Sequence, residues 1–184
     1  MLANLRALFG VVIDIVLLRR GPEQLPASPT LLVSTMALFA VVASLVSSQA
    51  AGDNPSWPQE LAVAIVMIPL WYRVALQLAG KRERFLQTVT AMFAVLLLFA
   101  PLAVPALGML MEQQQAYETT KVPPSGLLTF IVLALVVWRF LIYVSITRAA
   151  FEWPAIPAVL LVLAQEFAML FLLIALAGTS ATPI

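Results

Sequence analysis

The strongest constraint on this chain is a series of five apolar runs, each close to the length that crosses a bilayer. The runs predict spans at residues 30–48, 60–79, 87–110, 126–147 and 155–177. About 20 helical residues cover the ~30 Å of hydrocarbon at 1.5 Å per residue. Because lipid offers no hydrogen-bond partner to free backbone groups, we expect every span to be an α-helix. The predicted fold class is therefore all-α integral membrane.

Composition places the whole chain in the membrane. It is 62% hydrophobic and 10% charged, with a mean hydropathy of +1.02. A soluble domain is roughly 45–50% apolar and about 25% charged. This excess cannot be hidden in one small core, and no linker long enough to separate two domains interrupts the sequence. We therefore expect a single membrane domain over residues 1–184.

Residues 1–20 are interpreted as an amphipathic helix that lies in the inner membrane interface and precedes the five spans. Only about a dozen apolar residues separate Arg6 from Arg19, which is short for a span. Asp14 interrupts them and shares one face of the helical wheel with small residues, as suits a surface helix. A signal peptide would end in small residues, whereas this segment ends in two arginines. A sixth span is the alternative interpretation.

Basic residues are distributed unevenly between the two predicted sides of the membrane. One side has Arg6, Arg19, Arg20, Lys81, Arg82, Arg84 and Arg148. The other side has Lys121 alone among the basic residues. The positive-inside rule then predicts a cytoplasmic N-terminus and a C-terminus outside, which is the periplasm for a bacterial inner membrane. The last four of the seven are expected to form a basic loop surface that faces anionic lipid headgroups.

Two arginines and one glutamate are predicted to lie inside the spans. Arg73 and Arg139 lie about seven and eight residues from the cytoplasmic ends of their spans, a depth of roughly 10–12 Å. Glu166 lies about eleven residues into the last span, next to Gln165, at roughly 15 Å. An unpaired charge at this depth costs at least about 2.5–3.5 kcal/mol. We therefore expect an intramembrane polar cluster of Arg73, Arg139, Glu166 and Gln165 in the packed interior.

This cluster has two interpretations that the sequence leaves open. In the structural one, the arginines pair with Glu166 or extend toward the headgroups. Their neighbours in the chain would then belong to an aromatic belt at the membrane surface: Trp71, Tyr72, Trp138 and Tyr143. In the functional one, the cluster lines a polar site that binds a lipid phosphate or conducts a proton. Arginine suits a phosphate because its planar guanidinium forms bidentate hydrogen bonds.

The residue types in the chain exclude several classes of chemistry. It has no cysteine and no histidine, which removes thiol nucleophiles, imidazole acid–base chemistry and metal ligation through these side chains. The only aspartates are Asp14 and Asp53, on opposite predicted sides, so they cannot share a magnesium ion. No glycine-rich phosphate loop or hydrolase motif is present. We expect no enzyme activity, no catalytic residue, no cofactor, no metal site and no nucleic-acid partner.

The order of these features resembles a known membrane family. LLRRGPEQLPASP leads into the first span, the second span ends in GKRERFLQTVTAMF, and WRFLIYVSITRAAFEWPAIPAVLLVLAQE joins the fourth span to the fifth. This order resembles the five-span domain of the Yip family, which comprises Rab-interacting membrane proteins and their bacterial relatives. The resemblance implies a five-span helical fold without a catalytic motif. Eukaryotic members have a long cytosolic N-terminal region and act in membrane traffic with small GTPases.

This chain has only a short segment before its first predicted span, so the resemblance implies a bacterial inner-membrane protein of scaffold or accessory type. Two functions remain open. The first is a non-enzymatic scaffold or accessory subunit that acts through protein or lipid contacts. The alternative is a small transporter or channel component that uses the Arg/Glu cluster as its polar site. The expected partners are membrane lipids, anionic ones included, and a membrane protein or a second copy of the chain.

Overall fold

The computed structural model describes residues 2–50 and 57–180, in which helices are the regular secondary structure. The α-helices are α1 (Leu2–Val16), α2 (Pro29–Ala50), α3 (Trp57–Leu78), α4 (Phe85–Thr120), α5 (Gly126–Phe151) and α6 (Ala155–Ser180). Short 3₁₀ helices lie at Pro22–Gln24 and Arg82–Arg84. Five helices, α2 to α6, are long and apolar enough to cross a membrane. The predicted fold class is confirmed, and the apolar helices fit an integral membrane protein.

Helix α4 is longer than the predicted third span at residues 87–110. It has 36 residues and ends at Thr120, followed by Lys121 in the left-handed conformation with φ 56°. The polar segment EQQQAYETT had the composition of a loop, but glutamate, glutamine and alanine are good helix formers. At 1.5 Å per residue α4 measures about 54 Å, so its last turns extend beyond a ~30 Å hydrocarbon layer.

Two tight turns, one between α3 and α4 and one between α5 and α6, lie at the same end of the bundle. After α3, Gly80 takes φ +70° and the Lys81 N–H donates to the Leu76 carbonyl at 2.8 Å. Glycine meets this conformation without steric cost. After α5, Glu152 takes φ 57° and the Trp153 N–H donates to a carbonyl of the last turn at 3.2 Å. Helix α5 therefore ends at residue 151, four residues beyond the predicted span.

Side-chain contacts join three connections of the chain at this end, which we call the basic end. Arg84 Nη1 donates to the Ala149 carbonyl at 2.7 Å, linking the α3–α4 connection to the last turn of α5. Gln87 Nε2 donates to the carbonyls of Leu25 at 2.8 Å and Glu23 at 3.2 Å. The segment before α2, the α3–α4 connection and the α5–α6 turn therefore meet at one end of the bundle.

Helix α4 forms the centre of the core. Every side chain from Thr88 to Val95 is buried, as expected for a helix that is surrounded on all sides. Helix α2 forms its most extensive interhelical contact with α4, and the ring centroids of Phe39 and Phe93 lie 5.6 Å apart. The buried part of α4 begins directly after the basic end, so this half of the bundle is the tightly packed half.

In the opposite half of the bundle, α5 and α6 are packed more loosely. No side chain of α5 between residues 126 and 141 is buried, and none of α6 between residues 166 and 176 is buried. By contrast, the last ten residues of α5 include Ile142, Tyr143 and Ile146 in the core. The distal parts of α5 and α6 therefore present most of their apolar surface outward.

Helix α1 packs onto the bundle. It has 15 residues, or about 22 Å, and is too short to cross the hydrocarbon layer. Ile15 is buried in the core, and Trp138 Nε1 donates to the Val16 carbonyl at 3.2 Å. Because Trp138 lies well inside α5, the end of α1 lies beside the spanning part of that helix. The interfacial interpretation of residues 1–20 stays a prediction.

Replacing Phe93 by alanine should lower the free energy of unfolding by about 3 kcal/mol, because a fully buried ring at the centre of the core is lost. The matched control is Phe130→Ala on the exposed part of α5, which should have little effect. Equilibrium unfolding in mixed detergent micelles measures both. Equal destabilisation by the two variants would contradict the central position of α4.

Candidate functional site

The main polar feature among the spanning helices is an ion pair between α5 and α6. Arg139 Nη2 donates to Glu166 Oε2 at 3.0 Å, and each side chain is 30% exposed. The Arg139 guanidinium carbon also lies 5.5 Å from the ring centre of Tyr143, one helical turn away, in the geometry of a cation–π interaction. The pair therefore lies at the edge of the packed region, held on one side and open on the other.

The levels of Arg139 and Glu166 along their helices predict that the pair lies close to the middle of a bilayer. Arg139 precedes Arg148, which is exposed near the basic end, by nine residues, or about 13 Å along α5. Glu166 follows Ala155, the first residue of α6, by eleven residues, or about 16 Å. Half of a ~30 Å hydrocarbon layer is about 15 Å. The two charges thus share one level, where neither reaches the headgroups easily.

Arg73 does not join this pair, and its predicted place in the cluster is wrong. Its side chain is exposed and forms no ion pair with any residue that the structure describes. The positions at which α3 and α5 end explain why Arg139 pairs with Glu166 and Arg73 does not. Helix α3 ends at Leu78, only about 8 Å beyond Arg73, whereas α5 continues about 18 Å beyond Arg139. From its shallower position Arg73 can extend toward the headgroups, which the structural interpretation allowed.

Gln165 is buried but does not bond to the ion pair. Its Nε2 lies 4.0 Å from the sulfur of Met169, and its Oε1 has no hydrogen-bond partner among the described residues. The hydroxyl of Tyr143 is also buried without a partner there. Of the predicted cluster, Arg139 and Glu166 form a pair, and Gln165 is buried next to Glu166 in the chain without bonding to the pair.

The sequence interpretation missed a buried hydrogen bond between α3 and α5. The hydroxyls of Tyr72 and Thr147 lie 2.9 Å apart, and both side chains are fully buried. Tyr72 and Tyr143 are therefore core residues, and their predicted place in an aromatic belt is wrong. The missed signal is the spacing of Arg139, Tyr143 and Thr147 at i, i+4 and i+8, which aligns them on one face of α5.

The basic loop surface divides into two parts. Lys81 Nζ and Arg84 Nη2 both pair with the Glu152 carboxylate at the basic end. Hydrogen bonds from Lys81, and then from Arg84, lower the pKa of Glu152 below its ordinary value. These two cations join the α3–α4 connection to the α5–α6 turn, so their predicted lipid-facing role is replaced by a structural one. Arg82 and Arg148 are exposed and remain open to headgroups.

The ion pair has hydrogen-bonding capacity that the chain itself does not use. A guanidinium offers five N–H donors and a carboxylate can accept about four hydrogen bonds, and the pair uses one of each. The structure shows no group of three or more acidic, histidine or cysteine side chains that could hold a metal ion among residues 2–50 and 57–180. The open side of the pair can therefore bind a polar group from outside the chain.

Comparisons with known proteins leave the site to be interpreted from its own geometry. No family model, no curated protein and no solved structure matches this chain. The functional interpretation therefore rests on the level, exposure and surroundings of the Arg139–Glu166 pair.

Replacing Glu166 by glutamine should lower the free energy of unfolding by about 2–3 kcal/mol. The change leaves the Arg139 charge without its partner near the middle of the bilayer. Unfolding in mixed detergent micelles measures the loss.

Two control variants identify the cause. The double variant Arg139→Leu, Glu166→Leu should be about as stable as the wild type, because it removes both charges together. Arg73→Gln should change stability little, because this arginine is exposed and has no ion pair among the described residues. A fully stable Glu166→Gln variant would show that the ion pair does not contribute to the fold.

Proposed function

We propose that this chain is a non-enzymatic inner-membrane protein of the Yip-like type that acts as a scaffold or accessory subunit through protein or lipid contacts. The observation that carries the proposal is the half-open Arg139–Glu166 pair, 30% exposed on each side chain. The order of sequence motifs and the five spanning helices support the Yip-like assignment.

An ion pair that is open to hydrocarbon is costly to keep. Charged groups within spans usually face the bundle interior or a polar cavity and pair with other groups. Here one side of the pair is satisfied by the chain itself, and about a third of each side chain is left uncovered. A polar group from another protein or from a lipid would cover it. The pair therefore favours a binding surface over a purely internal support.

Apolar side chains surround the open side of the pair. Of the positions one turn or one residue away from the two charges, those on the inner side, such as Ile142 and Val162, are buried. The exposed apolar ones include Val136, Leu163, Phe167 and Leu170. In membranes, interhelical polar contacts and close packing drive helix association. The α5–α6 face, defined by Arg139, Glu166 and these four residues, is the proposed contact surface.

A small transporter or channel component is the second candidate. The buried Tyr143 hydroxyl and the buried Gln165 Oε1, neither with a hydrogen-bond partner among the described residues, favour it. They belong to the same two helices as the ion pair and would extend a polar path. A flux assay in proteoliposomes separates the candidates, because only transport predicts a flux that Glu166→Gln reduces.

The same proposal includes the orientation. The distribution of arginine and lysine toward the basic end supports a cytoplasmic N-terminus. Because the chain has no cysteine, single cysteines report sidedness cleanly. In intact spheroplasts, a membrane-impermeant maleimide should label Gln115→Cys at the distal end of α4. It should label Glu83→Cys, in the α3–α4 connection, only after permeabilisation. The reverse pattern would overturn the orientation.

The scaffold function predicts a bound companion that depends on the α5–α6 face. Purified in a mild detergent or in native nanodiscs, the wild type should retain a protein or an anionic lipid at near-stoichiometric amounts. Quantitative mass spectrometry measures this. The double variant Arg139→Leu, Glu166→Leu should lose most of the companion while it stays folded. Arg73→Leu, which removes an exposed arginine elsewhere, should retain it. A wild type that is purified as a monomer, with neither another protein nor an anionic lipid bound, would contradict the proposal.

A further inference from the structure

We infer that the α5–α6 face binds a second copy of this chain, about a two-fold axis parallel to the membrane normal. In this dimer Arg139 of each chain contacts Glu166 of the partner subunit, and Glu166 of each chain contacts Arg139 of the partner subunit. The inference rests on the proposed function and specifies its partner. It follows from the charges, the exposure and the level of the residues on this face.

The charges of the α5–α6 face are complementary to those of an identical face. A two-fold interface places the same surface patch on both sides, so a patch must complement itself. A face with one cation or one anion would oppose like charges. The α5–α6 face has one of each, Arg139 and Glu166, joined at 3.0 Å. Two such pairs can form a closed ring of four alternating charges, in which every charge gains a second opposite neighbour.

Arg139 and Glu166 lie at a common level along the bundle. An axis parallel to the membrane normal brings together residues of equal depth and keeps both copies in the same orientation. Arg139 lies about 18 Å from the end of α5, and Glu166 lies about 16 Å from the start of α6, both measured from the basic end. The difference is small compared with the reach of the two side chains. The charges of two copies can therefore meet without tilting or shifting either chain.

Helices α5 and α6, which form this face, are also incompletely packed. The distal parts of α5 and α6, residues 126–141 and 166–176, contain no buried side chain. Apolar exposure by itself marks a lipid-facing surface, and α2 has such a surface at Val33 and Val41. The α5–α6 face differs because its apolar surface surrounds an ion pair at the middle of the bilayer. A second copy would cover both the charges and the unpacked helices.

Cysteine cross-linking in native membranes tests the dimer. The chain has no cysteine of its own. Phe167→Cys places a thiol on the α5–α6 face, and Val41→Cys is the matched control on α2. The two side chains are 56% and 57% exposed, and each follows the first residue of its helix by twelve positions. Copper phenanthroline and oxygen oxidise two thiols to a disulfide, and a short bis-maleimide joins thiols that are further apart.

The inference predicts at least a fivefold higher yield of covalent homodimer from Phe167→Cys than from Val41→Cys. Leu163→Cys and Leu170→Cys, on the same face, provide neighbouring positions in case the thiol at residue 167 is turned from the axis. Equal yields from the α2 control and all three face positions would overturn the inference. So would a cross-linked product whose mass requires a different protein.

A second arm tests the role of the charges. The changes Arg139→Leu and Glu166→Leu are added to the Phe167→Cys chain, and melting and size-exclusion profiles verify that it remains folded. The homodimer yield should fall to the level of the Val41→Cys control. An undiminished yield from the folded triple variant would overturn the assignment of the ion pair to the interface.

The outcomes separate this inference from the proposed function. If the wild type retains another protein or an anionic lipid and Phe167→Cys gives no homodimer, the scaffold function stands and the self-association is wrong. If the wild type retains no companion and forms no homodimer, both proposals are wrong.

Discussion

Hydrocarbon supplies no hydrogen-bond partner, and this constraint governs the whole structure. Each backbone group in the spans must be satisfied within the chain, which leaves helices as the spanning elements. Polar side chains obey the same constraint: Tyr72 pairs with Thr147, and Arg139 pairs with Glu166. Among the described residues, the groups that obey it least are the open side of that ion pair and one buried polar atom without a hydrogen-bond partner there on each of four side chains: Trp71, Thr90, Tyr143 and Gln165. The ion pair, Tyr143 and Gln165 lie on α5 or α6, the two helices that form the proposed contact surface.

Two of the basic residues contribute to the fold itself, besides supporting the proposed orientation. Lys81 and Arg84 converge on Glu152, and Arg84 also bonds to carbonyls in the last turn of α5. Cations near a helix C-terminus interact favourably with its exposed carbonyls. These contacts join the α3–α4 hairpin to the α5–α6 hairpin at the basic end. The tight packing around α4 starts from this junction, and the looser half of the bundle lies farthest from it.

The difference between the two halves relates the fold to the proposed function. A bundle packed evenly along its length would leave little uncovered surface for another chain. Here the core ends before the distal parts of α5 and α6 are covered, and the Arg139–Glu166 pair lies at the boundary. Association through this boundary would complete the packing and enclose the charges. The protein would then act through contacts, as a scaffold or accessory subunit does.

The amino-acid sequence by itself determined the number of apolar helices long enough to span a membrane and the residue types that are absent, cysteine and histidine, because hydropathy and residue type act locally. It also placed an arginine and a glutamate within reach of one level. Only the tertiary structure decided which arginine pairs. The levels of Arg73 and Arg139 depend on where α3 and α5 end, and those ends depend on contacts with distant segments. For the same reason α4 continues through a polar segment, Lys81 and Arg84 turn to Glu152, and Tyr72 enters the core: each outcome depends on neighbours that folding brings together.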